Sequence, residues 1–216
     1  MTKLYLFSMI NNYTLPTFKD FLIASAAQDF NLVVLMQIQE QRAGIMDLIR
    51  DTGLDLDTSR ISFLAPNIND RYAPPDTSDL LRQASGILVL GGNAHFYQKM
   101  YATPEISKIV EEKYLSGIPY AGISAGAILS LNYKLLENVA LKPHFSEKKR
   151  FNELISKMKK NKVKYGFGLD DNISLIISDN TKIKCLGKDS FYLFTRQDQY
   201  DFGFNILKNL NVRELS

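Results

Sequence analysis

The stretch GILVLGGN, residues 86–93, decides the fold of this 216-residue chain. Its run ILVL has no polar position on either face, which is typical of a strand buried between two layers of helices. The two glycines and the asparagine that follow are turn-forming residues. The stretch therefore predicts a central parallel strand that ends in a tight loop.

Working outward from this strand, short apolar runs alternate with helical patterns through the first half of the chain. Alternating strands and helices indicate a parallel sheet with helices on both faces, which is a three-layer α/β/α architecture. The predicted strands are 3–7, 32–36, 60–64, 86–90 and 119–122, and the predicted helices are 15–30, 42–50, 78–84, 105–115 and 125–131.

The last third of the chain has a different pattern. A helix is predicted at 147–160 and another at 200–210, with strands between them at 165–169, 173–178, 182–186 and 191–195. Turn residues separate these strands, so we expect an antiparallel extension of the parallel sheet. No repeat, low-complexity stretch or linker interrupts the pattern, and one domain over residues 1–216 is expected.

Composition excludes several classes of protein. Hydrophobic residues make up 45% of the chain and charged residues 23%, as in ordinary globular domains. The single cysteine, Cys185, excludes an internal disulfide and a thiolate zinc cluster, and only two histidines are present. A histidine-rich metal centre is therefore not expected. No apolar run is long enough for a membrane span and the start does not resemble a signal peptide, so a cytoplasmic location is expected.

The net charge of +3 is unevenly distributed along the chain. Between Lys148 and Lys164 there are eight basic residues and one acidic residue, Glu153. Such a run indicates either a nucleic-acid patch or a solvated, lysine-rich helix end. No aromatic residues are interleaved as in nucleic-acid motifs, so the second interpretation is favoured and no nucleic-acid partner is expected.

The stretch GISAG at residues 122–126 is the first candidate for chemistry. A predicted strand ends at Gly122 and a predicted helix begins at Ala125, the setting in which a nucleophilic serine is exposed on a tight turn. Ser124 is therefore the candidate nucleophile. The N–H of Ala125 and that of Gly92, on the neighbouring loop, could form an oxyanion hole. A glycine-rich turn that binds nothing, or a phosphate, is the simpler alternative.

A serine nucleophile needs a base and a carboxylate that orients the base. His144 follows a proline that favours an extended approach, whereas His95 follows the GGN loop and lies in the first turn of a short helix. We favour His144. For the carboxylate we favour Glu137, which lies between the serine and the histidine, while Asp170 and Asp171 remain alternatives.

These motifs resemble those of the dipeptidase E and cyanophycinase family of serine peptidases. The resemblance rests on GGN at 91–93, GISAGA at 122–127, HFSE at 144–147 with Arg150, and GFGLDDNISLII at 166–177 followed by LGK at 186–188. It implies a flavodoxin-like sheet related to class I glutamine amidotransferases, a Ser-His-Glu/Asp site and no cofactor. The family's activities are release of amino-terminal aspartate from dipeptides and degradation of cyanophycin.

Departures from the family pattern narrow the expected substrate. The segment between Ser124 and His144 is short, Lys142-Pro143 replaces an Asp-Gln pair, and Lys148 and Glu153 replace arginines. These differences favour a small-peptide exopeptidase or dipeptidase over cyanophycin degradation. Asn93, Lys148 and Arg150 are the candidate substrate-binding residues, and Arg150 could bind a substrate carboxylate. A small peptide is the expected partner, and the chain is expected to be a monomer or homodimer.

Four other functions are compatible with similar motifs. An α/β-hydrolase esterase would need a histidine near its end, but none follows His144. A glutamine amidotransferase would carry cysteine at the position of Ser124. An amidase or esterase that uses the same serine, and a non-catalytic binding or regulatory protein that keeps the crevice, remain alternatives.

Overall fold

Five parallel strands form one side of the larger of two sheets. The computed structural model describes residues 1–27, 29–67, 70, 72–198, 201–208 and 213–214. The five strands are β1 (Lys3–Phe7), β2 (Leu32–Leu35), β3 (Ile61–Leu64), β4 (Gly86–Val89) and β5 (Tyr120–Ile123). Their order across the sheet is β1-β5-β4-β2-β3. The strands predicted in the first half of the chain are therefore confirmed.

Helices cover both faces of this sheet, as the apolar run of β4 predicts. Ile87 and Val89 pack into one core, whereas Leu88 and Leu90 pack into the other. The second core is closed by α1 (Leu15–Ser25) and α2 (Gln41–Asp51). The first is closed by four helices: α3 (Thr77–Gln83), α4 (Ala94–Tyr101), α5 (Pro104–Leu115) and α6 (Ala125–Asn132). The three-layer arrangement is confirmed, and no helix of the described residues is both long and apolar enough to cross a membrane.

The antiparallel extension is present, but its strands divide between two sheets. The remaining elements are β6 (Val139–Pro143), α7 (Phe151–Asn161), β7 (Tyr165–Leu169), β8 (Ile173–Ser178), β9 (Lys182–Gly187), β10 (Phe191–Arg196), β11 (Phe202–Leu207) and β12 (Arg213–Glu214). Strands β8, β9 and β12 continue the larger sheet beyond β1, all antiparallel to their neighbours. A smaller sheet has the order β11-β10-β7-β6, in which β6 and β7 are parallel. The chain thus crosses between sheets at residues 170–172.

Four segments differ from the sequence predictions. The helix predicted at 15–30 ends at Ser25, and the described residues from 26 to 30 are not helical. The helix predicted at 200–210 is wrong over Phe202–Leu207, which forms β11; its ends at 200, 209 and 210 lie outside the described residues. The antiparallel register pairs Phe204 of β11 with Phe194 of β10. Their rings are stacked, with the centroids 5.7 Å apart. The helix predicted at 147–160 begins only at Phe151. Lys149 has a φ of 52°, which lies outside the right-handed helical region, so a regular helix cannot run through residue 149. Strand β6 was not predicted as a strand.

Two glycines allow α6 to lie directly against the sheet. A Cβ on Gly126 would lie 2.1 Å from the carbonyl oxygen of Val89, and a Cβ on Gly122 would lie 2.5 Å from the carbonyl oxygen of Gly126. Both obstacles are backbone atoms, which cannot rotate away as a side chain can. The close approach of α6 to β4 therefore requires glycine at both positions.

We predict that Gly126→Ala lowers the free energy of unfolding by about 2 kcal/mol or more, because the added methyl group forces α6 away from β4. Gly44→Ala is the matched control, since Gly44 is also helical but a Cβ there meets nothing within 4 Å. We expect Gly44→Ala to raise stability by about 0.5–1 kcal/mol. Urea denaturation measures both. Equal effects of the two substitutions would contradict the close approach.

Candidate functional site

The candidate site lies where the two sheets meet, at the carboxyl ends of strands from both. Parallel strands direct the loops at their carboxyl ends to one edge of a sheet, which is the usual position of a ligand site. The residues that follow the strand ends are Ser8 after β1, Gly91–Asn93 after β4, Ser124 after β5, His144 after β6 and Asp170–Asp171 after β7.

Ser124 occupies a strained turn between β5 and α6. Its φ of 51° and ψ of −104° are unusual for a residue that is not glycine. Its backbone N–H donates to the carbonyl oxygen of Phe7 at 2.8 Å, which ties the turn to the end of β1. Ser124 is partly exposed at the sheet edge. This is the geometry of a nucleophile elbow.

His144 connects the serine to a carboxylate. Its Nε2 lies 2.9 Å from Oγ of Ser124, and its Nδ1 is hydrogen-bonded to Oδ1 of Asp171. An ionised carboxylate can only accept, so Nδ1 carries the proton and Nε2 is free to accept from the serine hydroxyl. The His144 side chain is 18% exposed and that of Asp171 26%. The three groups form the chain of contacts that a serine triad needs.

The assignment of Glu137 as the orienting carboxylate is corrected by this geometry. Glu137 is exposed and precedes β6, whereas His144 follows β6. The five extended residues of β6 lie between the two positions, and a strand of that length spans about 16 Å, which no carboxylate side chain can reach across. Asp171, which the sequence left as an alternative, contacts His144 instead. Its neighbour Asp170 is buried and accepts from the N–H and hydroxyl of Ser146.

The buried hydroxyl of Ser8, directly after β1, aligns the strand ends that precede His144 and Asp170–Asp171. Oγ of Ser8 donates to the carbonyl oxygen of Leu169 at 2.8 Å and accepts from the N–H of His144 at 3.1 Å. A side-chain oxygen of Glu147 also accepts from the N–H of Asp171 at 2.8 Å. Sequence reasoning missed Ser8 and Glu147 in these roles. For Ser8, the only signal in the sequence was a polar residue directly after a buried strand.

The loop after β4 lies against the serine. A Cβ on Gly91 would lie 3.3 Å from Cβ of Ser124. Gly92 has a φ of 153° and no room for a side chain, because a Cβ there would lie 2.3 Å from Oε1 of Gln37. Among the described residues, the N–H groups of Gly92 and Ala125 have no hydrogen-bond acceptor. Two free donors on either side of the serine could bind an oxyanion.

The other predicted site residues have different surroundings. The side-chain oxygen of Asn93 accepts from the N–H groups of His95 and Phe96 and so caps α4. The His95 side chain is exposed and has no hydrogen-bond partner in the described part of the chain. Lys148 is exposed on the turn after His144. Arg150 is half-buried, and its Nη1 donates to the carbonyl oxygen of Pro143 at 3.2 Å.

Cys185 and metal ions are not part of this arrangement. Cys185 is buried on β9, and burial raises the pKa of its thiol to about 12, so the reactive thiolate is scarce near neutral pH. Within the ranges that the structure describes, no three His, Cys, Asp or Glu side chains are grouped as metal ligands would be.

Comparisons with known proteins identify the family. The model of peptidase family S51 matches residues 68–185, more than half of the chain. The chain belongs to peptidase family S51. The resemblance noted in the sequence is confirmed, because the matched S51 region contains the GGN loop, the serine, the histidine and both aspartates.

Individual relatives are similar over different lengths. Peptidase E of Shewanella oneidensis is 35% identical over 81 residues, which cover 37% of this chain and 34% of that protein. A peptidase from an acI-B1 actinobacterium has a TM-score of 0.65 at 20% identity, over 100% of this chain and 94% of that one. A candidate peptidase E from Listeria monocytogenes has a TM-score of 0.60 at 16% identity, over 88% and 100% respectively. These structures share the S51 fold described here.

The contact between Asp171 and His144 leads to a prediction about reactivity. We expect Asp171→Asn to slow the labelling of Ser124 by a fluorophosphonate probe about 10²-fold or more, because the imidazole loses its orienting acceptor. Glu137→Gln is the control and should label at the rate of the unaltered protein. Mass spectrometry of the labelled serine peptide measures both rates. The opposite ranking would return the role to Glu137.

Proposed function

We propose that the protein is a serine-type peptidase that hydrolyses small peptides in the manner of an exopeptidase or dipeptidase. The observation that carries the proposal is the continuous series of contacts from Ser124 through His144 to Asp171. Membership of the S51 family supports it. Each group comes from a different strand end, so the arrangement is not a by-product of one local turn.

The proposed reaction begins with attack on the scissile carbonyl. Oγ of Ser124 forms a bond to the carbonyl carbon while its proton moves to Nε2 of His144. Asp171 stabilises the imidazolium that results. The N–H groups of Gly92 and Ala125 would bind the oxyanion of the tetrahedral intermediate, where each donor contributes roughly 3 kcal/mol.

The second half of the reaction regenerates the serine. The tetrahedral intermediate collapses when Nε2 of His144 gives its proton to the leaving amine, and an acyl-serine remains. Water then attacks the acyl group with His144 again acting as base, and the second product leaves as a carboxylic acid. Every proton in this cycle passes through one imidazole, so no cofactor is required.

We expect Ser124→Ala to lower kcat for dipeptide hydrolysis about 10⁴-fold or more, with His144→Ala close behind. A dipeptide library screened by amine release identifies the substrate and measures the loss. His95→Ala is the matched control and should change kcat by less than about threefold, since its exposed ring contacts no site residue. An unaltered protein that neither cleaves peptides nor reacts with a fluorophosphonate would be a non-catalytic binding protein. Cleavage of esters or amides alone would identify the alternative hydrolase.

A preference for acidic peptides is the finer part of the proposal. The turn that follows His144 carries Lys148, Lys149 and Arg150 with Glu147 as its acidic member. Lys142 is already neutralised, because its Nζ lies 2.7 Å from the carboxylate of Glu153, whose pKa it lowers. In the described part of the chain the side chain of Lys148 has no such partner. Its charge is therefore available to a substrate carboxylate.

For Lys148→Met we expect KM to rise about two- to fivefold for an acidic dipeptide, as for the loss of one exposed charge pair, and to stay constant for a neutral one. Lys160→Met, an exposed lysine near the other end of α7, is the control. Arg150→Met should raise KM further and also lower kcat, because its guanidinium supports the residue before His144. Equal KM changes for acidic and neutral peptides would show that these cations do not bind the substrate.

A further inference from the structure

Two glutamines hold the loop that follows β4: Gln37, just after β2, and Gln41, the first residue of α2. Nε2 of Gln41 donates to the carbonyl oxygen of Gly91 at 2.8 Å. Oε1 of Gln41 accepts from the N–H groups of Gln37, at 2.8 Å, and Ile38, at 3.3 Å. Oε1 of Gln37 in turn accepts from the N–H of Asn93 at 2.9 Å. The two amides therefore connect the end of β2 to both sides of Gly92.

Fixing the Gly91 carbonyl also fixes the N–H of Gly92. The two groups belong to one planar trans peptide, so they point in opposite directions and cannot rotate independently. Tyr97 adds a second donor to the same oxygen, through its hydroxyl at 3.3 Å. With the carbonyl held on the α2 side of the loop, the N–H is left on the opposite side without an acceptor. Gly91 itself lies against Ser124.

The side chain of Gln41 has both functions that these contacts require. Its position needs a donor toward Gly91 and an acceptor toward two N–H groups, and a side-chain amide supplies both. A glutamate of the same shape would direct a carboxylate oxygen at a carbonyl oxygen, and a methionine would donate nothing. The adjacency follows from the sheet, since β2 and β4 are parallel neighbours with Leu35 opposite Val89.

We propose that Gln41 is a positioning residue for the oxyanion hole, which orients the N–H of Gly92 toward the intermediate through the Gly91 carbonyl. The inference rests on the proposed peptidase function. The hydrogen bonds that the structure gives the Gln41 side chain go to Gln37, Ile38 and Gly91, and none goes to Ser124, His144 or Asp171. The effect of Gln41 should therefore be on the stability of the tetrahedral intermediate and not on the binding of the uncleaved peptide.

The test compares Gln41→Met and Gln41→Glu with Gln39→Met, an exposed glutamine two residues away. Deleting an oxyanion donor costs about 10²- to 10³-fold in kcat, so misdirecting one should lower kcat about 10- to 100-fold. A peptide aldehyde, which forms a tetrahedral adduct with the serine, should lose affinity by a similar factor. Binding of the intact dipeptide, measured in a Ser124→Ala background, should be unchanged. Gln39→Met should match the unaltered protein in every assay.

The outcomes distinguish a failure of the positioning role of Gln41 from a failure of the peptidase function. If the unaltered protein cleaves peptides and Gln41→Met cleaves them equally well, the positioning role is wrong and the peptidase function stands. Equal losses in dipeptide binding and in kcat would also overturn the role, because they indicate a general collapse of the site. An unaltered protein without activity overturns both. Tyr97→Phe, which removes the other donor to Gly91, gives an independent check and should lower kcat about two- to tenfold, as for one weaker hydrogen bond.

Discussion

The buried hydroxyl of Ser8 is the contact on which the site depends. It lies at the end of β1 in the larger sheet, yet both of its hydrogen bonds go to the ends of β6 and β7 in the smaller one. His144 and Asp171 lie just after those two strands. Ser124 lies just after β5, the parallel neighbour of β1. The relative position of Ser124 and His144 is therefore a property of the junction between sheets. Neither sheet contains the site alone.

Close packing on the opposite side of the serine complements this junction. The approach of α6 to β4 places Ser124 in a backbone conformation that few residues adopt, and such strain persists only where the surroundings hold it. The hydroxyl of Tyr120, buried in the same core, donates to the carbonyl oxygen of Gly126 at 2.8 Å and secures the first turn of α6. Ser124 is thus held in place by the packing of α6 against the sheet. His144 is held by its hydrogen bonds to Ser8 and Asp171.

Most of the parallel core could be predicted because its signals are local. The apolar run of β4, the turn at residues 91–93 and the small residues around Ser124 each specify their own structure. The choice of Glu137 was wrong because order along the chain says nothing about which end of a strand a residue occupies. Recognising β6 as a strand would have placed Glu137 and His144 at opposite ends of it. Asp171 follows a predicted strand, and that position was the better guide.

Other errors arose because the pairing of strands from different parts of the chain leaves no local pattern in the sequence. The segment that forms β11 contains alternating apolar residues, but its strand conformation is fixed by β10, to which it is paired residue by residue. The division of the last strands between two sheets depends on the crossing at residues 170–172. Asn11, on the loop after β1, donates to the side chain of Asn172 at 2.7 Å and holds that crossing in place. Such a contact between distant segments has no signature in either segment alone.

The hydrogen bond between Ser8 and Leu169 also limits the order in which the protein can fold during synthesis. Ser8 and Leu169 are 161 residues apart in the chain, so their hydrogen bond closes one of the longest loops in the molecule. A growing polypeptide folds from its amino end, and contacts between distant segments form last. The serine turn can be complete while the histidine has neither its anchor nor its carboxylate. Ser124 and its turn are therefore synthesised well before β7, and the contacts that hold His144 in place can form only after β7 has emerged from the ribosome.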